Sequence, residues 1–115
     1  MTIVGVSYTL RLPADGSIGV STTIGTMDVA LQTDPARGNN LPPPFPGATL
    51  VGSPGADVTV GAFTLIANTP VVGGGGSVVG DFVATVPTLA AHTTHSVSLL
   101  THAGCPQTIG SFTTL

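Results

Sequence analysis

The sequence predicts an all-β protein, and three observations point to it. Apolar residues alternate with polar ones over most of the chain, which is the pattern of strands with one buried face. Glycine and proline, 16 and 10 of the 115 residues, divide these stretches at short intervals. The composition, 42% apolar and 6% charged, excludes a disordered chain, because disordered chains are poor in apolar residues and rich in charge.

The first half of the chain contains two alternating stretches followed by an irregular one. Residues 3–12 and 18–31 are predicted strands, the second with a bend or bulge at Gly25, and together they would form a hairpin. Residues 33–47 are predicted to form an extended Pro-rich loop. Four of the five positions 42–46 are proline, which imposes polyproline geometry and removes backbone donors. Loops of this length in compact domains usually have a function or link two units.

The second half of the chain contains the remaining predicted strands. The alternation is most regular in residues 58–66, where both faces look covered, and it resumes in residues 78–86. Between them, residues 73–76 are predicted to be a glycine hinge or hairpin tip, since four glycines lose too much backbone entropy in a regular element. A single helical turn is allowed only at residues 88–92. The shorter predicted strands are 48–51, 96–101 and 108–114.

About eight short strands with little or no helix are typical of an antiparallel β-sandwich of the immunoglobulin-like or jelly-roll type. A chain of 115 residues has the size of one domain, and we predict a single sandwich that spans residues 1–115. The sequence has no internal repeat at a fixed period, so a solenoid is not expected.

The charge composition disfavours several classes of partner. Arg11 and Arg37 are the only cations, lysine and glutamate are absent, and the net charge is −3. Phosphate groups and anionic lipids both require clusters of basic residues, so we expect no nucleic-acid and no membrane partner. The start of the chain alternates like a strand and lacks a secretory leader. Cys105 is the only cysteine, which agrees with synthesis in a reducing cytosol.

His92, His95 and His102 are the candidates for a metal site. They are the three histidines of the chain, and imidazoles from a loop and the strand after it can gather around zinc. The signal is weak, because metal motifs gain specificity from paired cysteines or carboxylates, which this segment lacks. Solvent-facing or packed polar histidines are the more common outcome, and we expect no cofactor.

No catalytic motif is apparent. The sequence has no Gly-x-Ser-x-Gly elbow, and Cys105 has no predicted helix N-terminus to activate its thiol. Asp28 and Asp81 lie in strand-like segments. We interpret them as charges placed on sheet edges to block strand pairing, in preference to a catalytic pair. The protein is therefore not expected to be an enzyme.

A surface without lysine and glutamate is suited to contact with other subunits. Long charged side chains normally keep β proteins apart, and the centres of interfaces are depleted in Lys, Glu and Asp. We therefore expect a homo-oligomer or a subunit of a lattice, with Leu41 and Phe45 protruding from the Pro-rich loop. The predicted contact residues are Ile3, Val4, Tyr8, Leu41, Pro43 and Phe45.

This profile of class, size and composition is similar to that of bacteriophage head-decoration (cement) proteins and small virion sandwich proteins, although no motif identifies a family. The sequence thus favours a non-catalytic virion subunit, made in the host cytoplasm, that stabilises a capsid lattice through apolar and strand or arm contacts. A carbohydrate- or cell-surface-binding module on a particle exterior is one alternative. A filament or tube subunit is another. One Tyr, four Phe and no Trp offer few platforms for sugar stacking.

Overall fold

The computed structural model describes residues 6–41, 45–54, 56–100 and 106–115. Within these ranges the chain forms nine β-strands and no helix, arranged in two sheets. The strands are β1 (Val6–Leu12), β2 (Ser17–Val20), β3 (Thr26–Thr33), β4 (Gly47–Ser53), β5 (Val58–Val60), β6 (Thr64–Pro70), β7 (Val78–Thr85), β8 (Thr94–Leu100) and β9 (Pro106–Thr114). A search of the same residues for a helix of the length and apolar character that a membrane crossing needs finds none.

The two sheets have four and five strands. Sheet 1 has the order β1-β3-β7-β6, with all neighbours antiparallel. Sheet 2 has the order β2-β9-β8-β4-β5, antiparallel except for the parallel pair of β2 and β9. If β2 and β5 are treated as added edge strands, the order is that of the immunoglobulin sandwich, and the sheets do not close into a barrel. The predicted all-β, sandwich-like fold is confirmed, with nine strands in place of about eight.

The core lies between the sheets and is centred on aromatic rings. The central strands turn alternate apolar positions inward, as β7 does with Phe82 and Ala84. Phe45, which precedes β4, contacts Tyr8, Phe63 and Phe82 at ring-centroid distances of 5.6, 5.6 and 4.8 Å. Large rings contribute most of the buried apolar area of a small domain. Phe45 therefore anchors the end of the Pro-rich loop in the core.

The predicted hairpin between residues 3–12 and 18–31 is confirmed only in part, and residues 3–5 lie outside the described residues. The antiparallel pairing holds for β1 and β3, whereas β2 separates from the second stretch and pairs with β9 in sheet 2. The chain changes direction at Gly25, whose φ of +79° is a left-handed conformation that favours glycine. The carbonyl of Gly25 accepts a hydrogen bond of 2.8 Å from the N–H of Val86, which fixes the bend against the end of β7.

The stretch 58–66 also divides, into β5 of sheet 2 and the start of β6 of sheet 1. All seven residues of β6 are exposed, so the prediction of two covered faces is wrong there. The reason is that β6 is an edge strand with β7 as its one neighbour in the sheet. Its position leaves it open to solvent.

The helical turn allowed at residues 88–92 does not form. The N–H of Leu89 donates a hydrogen bond of 2.8 Å to the carbonyl of Thr22, and the Leu89 side chain is buried. His92, at the end of the segment, has a left-handed φ of 51°. Packing against a distant strand connection therefore replaces local helical hydrogen bonds in this segment.

Candidate functional site

The structure brings Asp28, Asp81 and Arg11 together on the outer face of sheet 1. Asp28 on β3 is opposite Val83 of β7, while Ala30 is opposite Asp81, so the two carboxyl groups are diagonal neighbours on one face. Arg11 of β1 approaches Asp81, with 3.7 Å between Nη1 and Oδ1. Because β3 and β7 are the central strands of the sheet, the interpretation of both aspartates as edge charges is wrong.

The environment of Asp28 favours its protonated form. Burial is the main cause that raises the pKa of Asp28, and Asp81 adds to it as a hydrogen-bond partner and as a second negative charge. Arg11 acts in the opposite direction, and the resulting pKa is about 6. In the described part of the chain, the Oδ1 atoms of both carboxyl groups are buried without a hydrogen-bond partner. Asp28 is therefore protonated more readily than an ordinary aspartate, below a pH of about 6.

This carboxyl pair lies away from the grooves found on the described residues. Paired carboxyl groups with separated pKa values also occur in acid–base catalysts, where they face a cleft that holds the substrate. Here the pair lies on the outer face of a sheet, and other residues line three grooves of the described surface. We therefore assign no catalytic role to it.

The histidines do not meet in a common site. His92 is exposed in the turn before β8, whereas His95 is fully buried on the inner face of β8, against Phe112 at a centroid distance of 5.4 Å. His102 lies outside the described residues. Among residues 6–41, 45–54, 56–100 and 106–115, no group of three His, Cys, Asp or Glu side chains is placed to hold a metal ion.

His95 is the one ionisable side chain on the five strands of sheet 2. Neither ring nitrogen has a hydrogen-bond partner in the described part of the chain, and burial lowers the pKa of His95 below its ordinary value of 6.5. Sheet 1 turns Arg11, Asp28 and Asp81 to its outer face, so no charged group faces the ring from across the core. The alternation of His95 with Val97 and Leu99 was the signal that could have placed it in the core.

The predicted contact residues have different environments. Tyr8 is half-buried against Phe45, and burial raises the pKa of its phenol. Leu41 is half-buried and packs against the core, while Phe45 is 1% exposed, so the expectation that both protrude is wrong. The burial of Phe45 follows from the three rings around it. The other predicted contact residues, Ile3, Val4 and Pro43, lie outside the described residues.

The sequence analysis did not identify the most exposed of the large apolar side chains. Ile18 on β2 and Val72, between β6 and β7, are 83% and 101% exposed. Val72 precedes four glycines, and a large apolar residue beside a run that lacks side chains is a signal that could have indicated an unshielded position. No feature of the sequence indicates that Ile18 is exposed.

No protein-family model, no curated protein and no solved structure matches the chain. The function is therefore inferred from the residues and their geometry.

Replacement of Asp28 by asparagine is expected to raise the melting temperature near pH 7. The folded-state pKa of Asp28 is above its unfolded value of 3.8, so its favourable contribution is present at low pH and is lost as the pH rises through about 6. Because asparagine stays neutral, the difference in melting temperature between the variant and the native protein is expected to vanish at about pH 4. Thermal unfolding followed by circular dichroism at both pH values measures this.

The matched control for this experiment is Asp57→Asn. Asp57 is exposed and accepts a hydrogen bond from the N–H of Gly52, which an asparagine oxygen also accepts. This control removes one exposed carboxyl group, and we expect a smaller change in melting temperature near pH 7 than for Asp28→Asn. A lower melting temperature of Asp28→Asn near pH 7, or an effect equal at both pH values, would contradict the raised pKa of Asp28.

Replacement of His95 by methionine, a residue of similar volume, is expected to make the stability of the protein less sensitive to acid. Because the folded-state pKa of His95 is below 6.5, the unfolded chain binds a proton first, and stability falls as the pH drops below about 6.5. Above that pH the variant is expected to gain about 1–3 kcal/mol, since two unpaired buried nitrogens are removed.

The free energy of unfolding is measured with urea over a pH series. The His95→Met variant and its parent both carry Asp28→Asn, so that the opposite pH dependence due to Asp28 does not enter the comparison. If the methionine variant loses stability in acid as steeply as its parent, His95 does not have the role described.

Proposed function

We propose that the protein is a non-catalytic structural subunit of a large ordered assembly, in which its outer surface contacts neighbouring subunits. A virion, with the protein as a decoration or cement subunit on a capsid lattice, is the assembly that the sequence profile favours. The observation that carries the proposal is an exterior with few charged side chains, since the chain has five aspartates, two arginines and neither lysine nor glutamate.

The charged side chains of the chain all have partners within it. Five aspartates and two arginines are its only charged residues. Arg11 pairs with Asp81, and Asp28 shares a hydrogen bond with Asp81. The others bind backbone groups: Asp15 the N–H of Ser111, Asp34 the N–H of Arg37, Asp57 the N–H of Gly52, and Arg37 the carbonyl of Asn40. These contacts leave the carboxylates charged but hold their short side chains in place, so the surface lacks the long, mobile charged side chains that usually keep another protein at a distance.

Strand β6 is a second observation that supports the proposal. It is seven residues long, is fully exposed and contains no charged residue. In the described part of the chain it pairs on one side only, with β7, which leaves a row of backbone donors and acceptors on its other side. Natural proteins usually protect such an edge with lysine, proline, a bulge or a cover. Strand β6 has an irregularity between Leu65 and Ala67 and ends at Pro70, but it has no charged residue, and its other backbone groups can accept a strand from a neighbour.

Carbohydrate binding gains no support. Sugar-binding surfaces use exposed aromatic rings, and the five aromatic residues of this chain all lie in the core or against it. The most exposed of them, Tyr8, is half-buried, and its ring packs on Phe45.

The proposal predicts that the purified protein associates with itself as its concentration rises. Sedimentation equilibrium from about 1 μM to about 1 mM covers the range of weak subunit contacts. We expect the mean mass to increase with concentration and to change little between low and high salt, because few charges take part. A protein that stays monomeric over the whole range would overturn the proposal.

A further inference from the structure

Among the described residues, the two sheets end in four edge strands, and these differ in length and charge. Strands β2 and β5 have four and three residues, which are too few for an extended ladder. Strand β1 has seven residues, but it carries Arg11 and also lies close to β9 of sheet 2. Strand β6 has seven residues, all of them exposed and none charged. Of the four edges, β6 is therefore the one best suited to pair with another strand.

The hydrogen bonds to β7 show which backbone groups of β6 point to its open edge. Along an antiparallel pair, residues that bond the neighbouring strand alternate with residues whose N–H and C=O point away from it. The N–H of Val71, directly after β6, donates to the carbonyl of Ser77 at 2.9 Å. The register is continuous from Pro70 back to Asn68, so Thr69 faces β7 as Val71 does. The N–H and C=O of Asn68 therefore point to the open edge.

Two features limit the part of this edge that can pair. By the same alternation, Pro70 directs its C=O to the open edge, but it has no N–H to donate there. The register shifts between Leu65 and Ala67, and such an irregularity disrupts a ladder locally. Asn68 lies between these two features and offers both a donor and an acceptor. We therefore place the centre of a contact at Asn68.

Exposed apolar side chains lie near both ends of β6. Leu65 and Ile66, near its start, are 39% and 60% exposed, and Val72, two residues after its end, is 101% exposed. A second strand that runs antiparallel to β6 would approach both ends at once. Burial of these side chains would add apolar area to the hydrogen bonds of the backbone.

We propose that β6 of one copy pairs antiparallel with β6 of a second copy, with Asn68 at the two-fold axis, so that the two four-stranded sheets form one continuous sheet. This rests on the proposed structural role and names the partner as a second copy of this chain. At the axis, the N–H of each Asn68 donates to the C=O of the other.

The choice of a second copy follows from the symmetry and charge of this edge. A strand that meets its own copy about a two-fold axis faces the same donors and acceptors in reverse order, so its outward groups find partners without any other protein. Strand β6 has no charge that its copy would repel, whereas a pair of β1 strands would contain two arginines of like charge. The contact closes as a dimer, and other surfaces would extend the assembly.

The substitution Asn68→Pro tests this contact. Because the N–H of Asn68 points away from β7, proline removes no hydrogen bond of the β6–β7 pair and places its ring at the open edge. The extended backbone of Ala67 is compatible with a proline after it. The matched control is Asn68→Ala, which also loses the side-chain hydrogen bond to Asn39 but keeps the backbone N–H.

Sedimentation equilibrium measures the dimerisation of both variants. We expect Asn68→Pro to dimerise at least about tenfold more weakly than Asn68→Ala, because both hydrogen bonds at the axis are lost. The alanine variant is expected to dimerise like the native protein. Circular dichroism and the melting temperature establish that both variants fold.

A second variant, Asn68→Lys, keeps the test decisive if the proline variant does not fold. It places two like charges next to each other at the axis, so we expect weaker dimerisation at low salt and partial recovery at high salt. Thr59→Lys is the matched control, since it adds the same charge at an exposed position of β5 in sheet 2. The control is expected to dimerise like the native protein at both salt concentrations.

The outcomes separate this inference from the proposed function. If the native protein associates, but the proline variant does so as tightly as the alanine variant, the contact lies elsewhere, and the inference fails while the structural role stands. The same conclusion follows if Asn68→Lys and Thr59→Lys associate equally. If the native protein does not associate, both proposals fail.

Discussion

The burial of Phe45 is the interaction on which the arrangement of the two sheets depends. Its ring contacts Tyr8 and Phe82, which belong to sheet 1, and it lies at the entry to β4 of sheet 2. Phe63, which follows β5, closes the cluster, and the N–H of Phe63 donates to the carbonyl of Phe45 at 3.0 Å. The same contacts hold the end of the Pro-rich loop in the core, so the loop does not present Phe45 to a partner.

The placement of the aromatic and charged residues produces the unusual exterior. The core takes the aromatic rings, and the few charged side chains bind one another or backbone groups. Most of the remaining exterior consists of small neutral residues and a few apolar ones. His95 and Asp28 are the ionisable groups whose burial costs stability, and they oppose each other. The contribution of His95 to stability falls as the pH drops below 6.5, whereas the contribution of Asp28 falls as the pH rises through about 6.

The sequence predicted the parts of this structure that depend on local pattern. Alternation identified most of the strands and the inward residues of the central strands β3 and β7, and the lack of long amphipathic stretches predicted little helix. Alternation does not say which sheet a strand joins, so the divisions of residues 18–31 and 58–66 were missed. Asp28 and Asp81 are 53 positions apart, and their meeting depends on the pairing of β3 with β7. For the same reason, the burial of Phe45 could not be predicted from its proline neighbours.

The central claim is that the sparsely charged exterior is a contact surface, and amide hydrogen exchange tests it most directly. Exchange is compared between dilute and concentrated protein. The account predicts that amides of β6 exchange more slowly in the concentrated sample, while those of the central strands β3 and β8 do not change. Identical exchange of β6 at both concentrations would contradict it.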